Sequence, residues 1–481
     1  MENKSNFHRS LTLMDGTLLV IGSMIGSGIF IVSADATRNL GSAGWLIAAW
    51  VITGIMTITA AVSYGELSGM FPKAGGQYVY LKEAYNPLTG FLYGWSFFAV
   101  IQTGTIAAVG VAFAKFSGYF FPILNLTKDN ILFSVGSVNI YPAQLLAICI
   151  IVLLTYINSR GVQGGKLIQR VFTWSKLIAL FGLIVFGFIL VKHSFFAENW
   201  ASGFKAAQDF GTVNEAGQKV PAGWSSISGM ALLGAIAAAM VGTVFSSDAW
   251  NNVTFVAGEI QNPQRNIGLS LFLGTLVVTL LYVTTNLMYL NALPLNAIAF
   301  PEEDRLAVAA ANQIFGDNGK FAIATLIMIS TFGCNNGLVL AGARVYYTMA
   351  KDGLFFKKAG VLNKAGVPQW ALWAQCVVAS ILCLSGRYGD LLDMISFVVV
   401  IFYVLTIAGI FILRKKMPDA ERPYKAWGYP FLPILYILMG IAFCVLLIMY
   451  KPEFTWPGLI IVLIGIPIYF FMNRKDAVSN D

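Results

Sequence analysis

The chain has 481 residues, of which 57% are hydrophobic and only 11% charged, whereas soluble domains carry roughly 25% charged residues. A surface this apolar needs lipid to cover it, which excludes a soluble globular enzyme or binding domain. The net charge of +8 calls for no nucleic-acid partner, because basic inner loops facing anionic lipid account for it.

About 20 consecutive apolar residues are needed to cross a hydrocarbon core roughly 30 Å thick. Twelve stretches of that kind follow one another, with no recurring strand-like alternation that would suggest a barrel. The first eleven residues are polar and carry no cleavage site, so no removable signal peptide is expected. The first span, about 11–33, holds Gly22, Gly26 and Gly28 within seven residues. Spans follow at about 42–70, 88–121 and 141–157, with polar connections near 71–87 and 158–166. The fifth, 167–191, carries Lys176 near its middle, where a lysine costs about 2.5–3.5 kcal/mol on insertion scales. Its ammonium must find carbonyls or a carboxylate, unless the span boundary lies closer to it than drawn. The sixth, 228–257, is interrupted at Gly242-Thr-Val-Phe-Ser-Ser-Asp-Ala-Trp250, with Asp248 at mid-depth. The remaining spans are about 267–291, 319–349, 369–386, 391–413, 428–450 and 456–473. The connections at 258–266, 350–368 and 414–427 are polar, and neither 192–227 nor 291–318 is long enough for a separate domain.

The expected fold is therefore an all-α membrane protein of one domain with twelve transmembrane helices. Five spans separate the two interruptions, so they fall at corresponding positions in successive five-span units of opposite orientation. These units cover 11–191 and 228–413, with 428–473 forming two appended helices. Paired interruptions of this kind point to a transporter binding site. Breaking a helix frees N–H groups at one new end and carbonyls at the other. The first attract a carboxylate and the second an ammonium, assisted by the half-helix dipoles. An α-amino acid zwitterion fits such a pair. The competing reading is that Gly22, Gly26 and Gly28 serve helix packing, as small residues do throughout membrane bundles.

With both termini inside, nineteen lysines and arginines fall on inner segments, nine on outer segments and three (Lys115, Lys176, Arg344) within spans. That excess sets the orientation expected in the cell membrane, with cytoplasmic termini. All five cysteines, Cys149, Cys334, Cys376, Cys383 and Cys444, lie in spans and read as small core residues without a disulfide framework. His8 and His193 lie outside the spans, so a histidine relay or a metal cage has no support, and no cofactor is expected.

Four stretches resemble the amino acid–polyamine–organocation superfamily, and within it the L-type amino acid transporter branch. They are Gly26-Ser-Gly-Ile-Phe30; Tyr64-Gly-Glu-Leu-Ser-Gly-Met-Phe-Pro-Lys-Ala-Gly-Gly-Gln-Tyr-Val-Tyr-Leu81; Phe245-Ser-Ser-Asp-Ala-Trp-Asn251 with Gly258-Glu259 and Asn262-Pro263; and Ser330-Thr-Phe-Gly-Cys-Asn-Asn336 with Arg344 and Lys351-Asp352-Gly353. The resemblance implies a LeuT-like 5+5 inverted repeat with broken helices one and six. It implies that N–H groups of Ser27, Gly28 and Ile29 take the substrate carboxylate. Carbonyls of Met24, Phe245, Ser246 and Asp248 would take the amino group, with Asn251 in the same site and Phe245 as an aromatic lid. Lys176 would stand where sodium sits in sodium-coupled relatives, bridging the first and eighth helices.

For Asp248 three roles stay open: shaping the side-chain subsite, capping the sixth-helix break as an N-cap, or binding a coupling proton. Animal members of the branch pair with a glycoprotein through a cysteine after the third span. Residues 122–140 contain none, so no disulfide-linked glycoprotein subunit is expected, and a microbial origin fits. The apolar run Phe397-Val-Val-Val-Ile-Phe-Tyr403 tilts the substrate side chain toward small or apolar. The function expected is sodium-independent exchange or facilitated transport of small or neutral L-amino acids. The alternatives are proton-coupled symport through Asp248 or Glu259, and a non-transporting amino acid receptor. A membrane-embedded enzyme finds no metal set, Ser–His pair or phosphate loop in the spans.

Overall fold

The computed structural model describes residues 9, 11–135, 138–214, 219–385 and 388–478. Lys4, His8 and Arg387, used in the reading of the sequence, lie outside the described residues.

The chain enters the bundle through α1 (Leu13–Met24), whose first turn is fixed by a capping box. The Asp15 N–H donates to Thr12 Oγ1 and the Thr12 N–H to Asp15 Oδ2. The expected first span then divides. α1 stops at Met24, a single 3-10 turn covers Gly28–Phe30, and α2 (Val32–Leu40) continues to Gly41, whose φ of +58° ends it. α3 (Ala43–Met70) follows. The connection near 71–87 is no open loop: it folds into α4 (Gln77–Ala84), whose Gln77, Tyr78, Tyr80 and Leu81 are buried. The next long helix, α5 (Pro87–Ser117), contains a π turn at Phe97–Ile101, a feature that often accompanies functional sites.

α6 (Pro142–Ser159) and α7 (Val162–Ile189) follow. The sixth span is again broken, into α8 (Gly229–Ser246) and the short α9 (Asn252–Phe255). Then come α10 (Pro263–Ala292), α11 (Leu306–Phe315), α12 (Asp317–Lys351), α13 (Gln369–Ser385), α14 (Tyr388–Lys416), α15 (Phe431–Tyr450) and α16 (Pro452–Val478).

Among the described residues, ten helices are long and apolar enough to cross a membrane. The two remaining stretches expected to span are the divided first one and the 17-residue α13. The strands are short antiparallel ribbons in loops, not a barrel. Two such ribbons, 207–208 with 225–226 and 212–213 with 219–220, lie between α7 and α8, where Asp209 accepts backbone N–H groups of Gly211, Ala222 and Gly223.

The most extensive helix contact is α3 against α10. It is close because glycine meets glycine: a Cβ added at Gly268 would lie 3.4 Å from Gly65 Cα. In lipid, where apolar surface gives little drive for association, such backbone approach is a principal source of packing energy. Cys334, Cys376 and Cys383 are buried as expected, but Cys149 is exposed on α6 and Cys444 half-buried. A thiol on a lipid-facing helix surface behaves as any small apolar group.

Ion pairs gather at the two ends of the bundle. At the end carrying α4, here the lower face, Arg170 meets Asp15 at 2.8 Å, Arg344 meets Glu259 at 2.8 Å and Arg414 meets Glu66 at 2.7 Å. Arg38 and Asp304 meet at 2.8 Å on the upper face.

Candidate substrate site at the paired helix breaks

Between α1 and α2 the chain leaves helical geometry for a physical reason visible in its residues. Gly26 and Gly28 stand at the break, where an added Cβ would lie 3.1 Å from Cys334 Sγ and overlap Ser246 respectively, and no side chain from the segment caps the new end. The freed carbonyls are met by side chains from three other helices. The Lys176 ammonium donates to Gly22 O and to Ile25 O, the latter at 2.7 Å. Cys334 Sγ reaches Ser23 O at 3.4 Å and Ser330 Oγ reaches Gly26 O at 3.3 Å. The Tyr282 hydroxyl lies 2.9 Å from Met24 O. Five consecutive carbonyls, 22 to 26, thus each face a donor from α7, α10 or α12. Every residue from Ile21 to Ala34 is buried, so these donors replace water that the backbone would otherwise require.

The second break begins where α8 ends at Ser246 and runs to Asn251, the N-cap of α9. Ala249 has a φ of +60°, a left-handed conformation that a residue with a Cβ adopts at a cost of order 1–3 kcal/mol. The two breaks touch. A Cβ added at Gly28 would lie 3.0 Å from Ser246 Cα and overlap its side chain. Tyr282 also spans them, since its hydroxyl is 3.0 Å from Ser246 O as well as 2.9 Å from Met24 O. It has one proton, so it donates to one carbonyl at a time.

The sequence-designated residues therefore divide into groups. Gly28 and Ile29 open the 3-10 turn after the first break, the position at which a helical turn leaves its N–H groups without an internal acceptor. Ser27 precedes them and is buried. Met24 O is engaged twice, by Tyr282 and by the Gly26 N–H at 2.9 Å. Phe245 O accepts the Asp248 N–H at 3.2 Å, and the Phe245 side chain is buried beside the break. Asn251 does not stand alone: its amide donates to Gln77 Oε1 of α4 at 3.0 Å, and Gln77 donates on to Thr406.

Two expectations need correction. Asp248 does not act as an N-cap: Asn251 holds that position, and Asp248 Oδ1 instead accepts the Tyr403 hydroxyl at 2.5 Å. Nor is the tenth-span wall purely apolar, because Tyr403, the last residue of the run judged apolar, presents its phenol to the break. A narrow cavity begins there and runs between α4, α5, α9 and α14, with Gln77, Gln102, Asp248, Asn251, Asn252 and Tyr403 in its wall. The buried Asn252 Nδ2 has no hydrogen-bond partner, and a water or a polar ligand atom would satisfy it.

Tyr282, Ser330, Cys334, Tyr403 and Gln77 were not singled out from the sequence as individual contributors. A tyrosine at mid-span is the available signal, since a buried phenol needs a partner.

The family model for amino acid permeases matches residues 11–471. Among individual proteins, the chain is 30% identical to the serine/threonine exchanger SteT of Bacillus subtilis, covering 98% of both chains. It is 28% identical to large neutral amino acids transporter small subunit 2 of Mus musculus, over 98% of this chain and 83% of that one. With the human b(0,+)-type amino acid transporter 1 the identity is 25%, over 98% and 89%. Both helix breaks and their donors fall inside the matched region, and the chain belongs to the amino acid permease family: it is a multi-pass membrane protein of amino acid transport, not an enzyme.

Proposed function

We propose that this permease is a sodium-independent exchanger or facilitator of small or neutral L-amino acids, working by alternating access. Its twelve spans would form two inverted five-helix units with two appended helices, in the cell membrane with both termini cytoplasmic. The substrate carboxylate binds the N–H groups of Ser27, Gly28 and Ile29 at the start of the second half-helix. The ammonium binds carbonyls of the sixth-span break at Phe245, Ser246 and Asp248, with Met24 joining when Tyr282 swings to its other acceptor. Phe245 covers the bound molecule, and Asn251 ties the site to α4.

The observation that carries the sodium-independent reading is the Lys176 ammonium on the carbonyls of Gly22 and Ile25. A fixed cation seated on break carbonyls does the electrostatic work of a bound metal ion. With a lysine in that place no sodium ion is needed to complete the site, a condition that both exchange and facilitated transport meet. The chain is expected to act without a disulfide-linked glycoprotein, for want of a cysteine in 122–140.

The second reading, proton-coupled symport, draws on Asp248, a buried carboxylate bonded to Tyr403 at the edge of a polar cavity. Proteoliposomes separate the two. Labelled neutral amino acids should enter faster when unlabelled substrate is trapped inside, equally well with sodium or potassium outside. Uptake that requires a sodium gradient would sink the proposal, and uptake driven by an acid-outside pH gradient without internal substrate would establish the second reading.

A further inference from the structure

On the upper face a cluster of charged side chains, none of them in the proposed substrate site, joins three parts of the chain. Arg38, in the last turn of α2, is only 4% exposed. Its Nη1 donates to Asp304 Oδ1 at 2.8 Å and to Ala299 O at 2.7 Å. The other Asp304 oxygen lies 3.7 Å from the ammonium of Lys115, at the end of α5. The neighbouring Arg305 is buried and donates to Lys115 O at 3.0 and 2.7 Å, and to Asn125 Oδ1 at 2.6 Å. A connection between α10 and α11 is thereby fastened at one residue to α2 and at the next to α5.

The turn that presents Asp304 is strained. Glu303 and Asp304 have φ values of +51° and +54°, a conformation rarely adopted by residues with a Cβ and found in succession only where the surroundings impose it. Burial alone would raise the Asp304 carboxyl, but Lys115 and Arg38 hold it at about 2, so it is ionised throughout the neutral range.

We infer that Asp304 is the latch of the upper face: its carboxylate ties the α2 half-helix, which carries one side of the substrate site, to the end of α5, and this tie must break before that face opens. Arg38 and Asp304 are positioning residues, since neither touches the substrate. α2 leads directly from the first break, so a displacement of its upper end is transmitted to Gly28 through two turns of helix. The strained turn favours release once the ion pair is lost, because the bond of the Asp304 N–H to Pro301 O at 3.0 Å lies within the turn and does not fasten it to α2.

The inference rests on the alternating-access reading, and its test has a readout that does not need transport. In a variant retaining only Cys334, with Cys149, Cys376, Cys383 and Cys444 replaced, a membrane-impermeant thiol reagent applied from the Arg38 side reports access to the first break. Asp304→Asn and Arg38→Gln should each raise the labelling rate about tenfold, the scale of one charge-assisted hydrogen bond. Asp304→Glu should stay near the parent rate, and the double variant should label no faster than either single one. In transport assays the apparent affinity should rise on the Arg38 side relative to the opposite side. Unchanged labelling and an unchanged affinity ratio in folded Asp304→Asn would overturn the latch. So would equal acceleration of labelling from both sides, which marks a general loosening. Absence of any amino acid transport by the parent, with labelling still responsive, would instead count against the proposed function alone.

Discussion

Lys176 and Tyr282 hold the same few residues of backbone, and only the first stands out in the sequence. A lysine at mid-span is conspicuous because charge is expensive there, whereas Tyr282 is one of 19 tyrosines and its role depends on a fold that brings α10 against both breaks. Replacing Lys176 by alanine leaves the carbonyls of Gly22 and Ile25 without their donor, at about 1–3 kcal/mol for each group left unpaired. Exchange should fall strongly, with a direction-dependent change in apparent affinity, while the detergent-solubilised protein still unfolds cooperatively. Exchange at the parent rate would remove the lysine from the mechanism. For Tyr282→Phe the ring stays and only the proton donor is lost. If the phenol orders the two breaks, substrate affinity in a thermal-shift titration should weaken about tenfold, or about 1.4 kcal/mol. If it merely competes with the substrate ammonium for Met24 O and Ser246 O, affinity should increase.

At the scale of elements, the two breaks differ in how far they were readable. The first announces itself through three glycines, and the structure puts its irregular turn at residues 25–27, just ahead of the 3-10 turn. The second has no glycine between Thr243 and Asn251; only its polar residues in an apolar span mark it. Its left-handed Ala249 has no sequence signal, because the conformation is imposed by packing and not by residue preference. Long-range partners were equally hidden: Tyr403 looked like the end of an apolar wall, and α4 like a connection, since polarity of a segment says nothing of the surface it folds against. The contact of Gly28 with Ser246 also alters the reading of one substitution. Gly28→Leu should abolish substrate binding, but it also forces the breaks apart and should lower the unfolding temperature. Ser27→Pro is the sharper test of carboxylate recognition, because it removes one N–H while adding little bulk. A folded Ser27→Pro protein with unchanged affinity in the same titration would show that the carboxylate binds elsewhere.

Ion pairs join elements at both ends of the molecule, and they differ in place and in partners. Below, Arg344 of α12 meets Glu259, just after α9, with both side chains buried. The same stretch pairs with the start of the chain, where Leu11 N–H donates to Glu259 O and Gln261 N–H to Leu11 O. On the proposed alternating-access reading, opening the lower face would require α1 and α9 to part from α12, and the Arg344 pair would oppose that movement as the proposed Asp304 latch would oppose opening above. Glu259→Gln keeps the size and a hydrogen-bonding oxygen but removes the charge. Breaking a buried pair from one side typically costs about 3–5 kcal/mol, so the unfolding temperature should fall, yet the more specific consequence concerns sidedness. The closed state loses a contact that a lower-open state has already given up, and the population shifts toward the lower-open state. Apparent affinity measured from the lower side should rise relative to the upper side, opposite in direction to Asp304→Asn. The two sites share no partner, so their effects on the ratio should be additive, and the double variant Asp304→Asn/Glu259→Gln should return toward the parental ratio while being less stable than either. Sided affinities in oriented proteoliposomes decide the matter. A ratio moved in the same direction by both substitutions, or by neither, would mean that these pairs hold the fold together without governing which face opens.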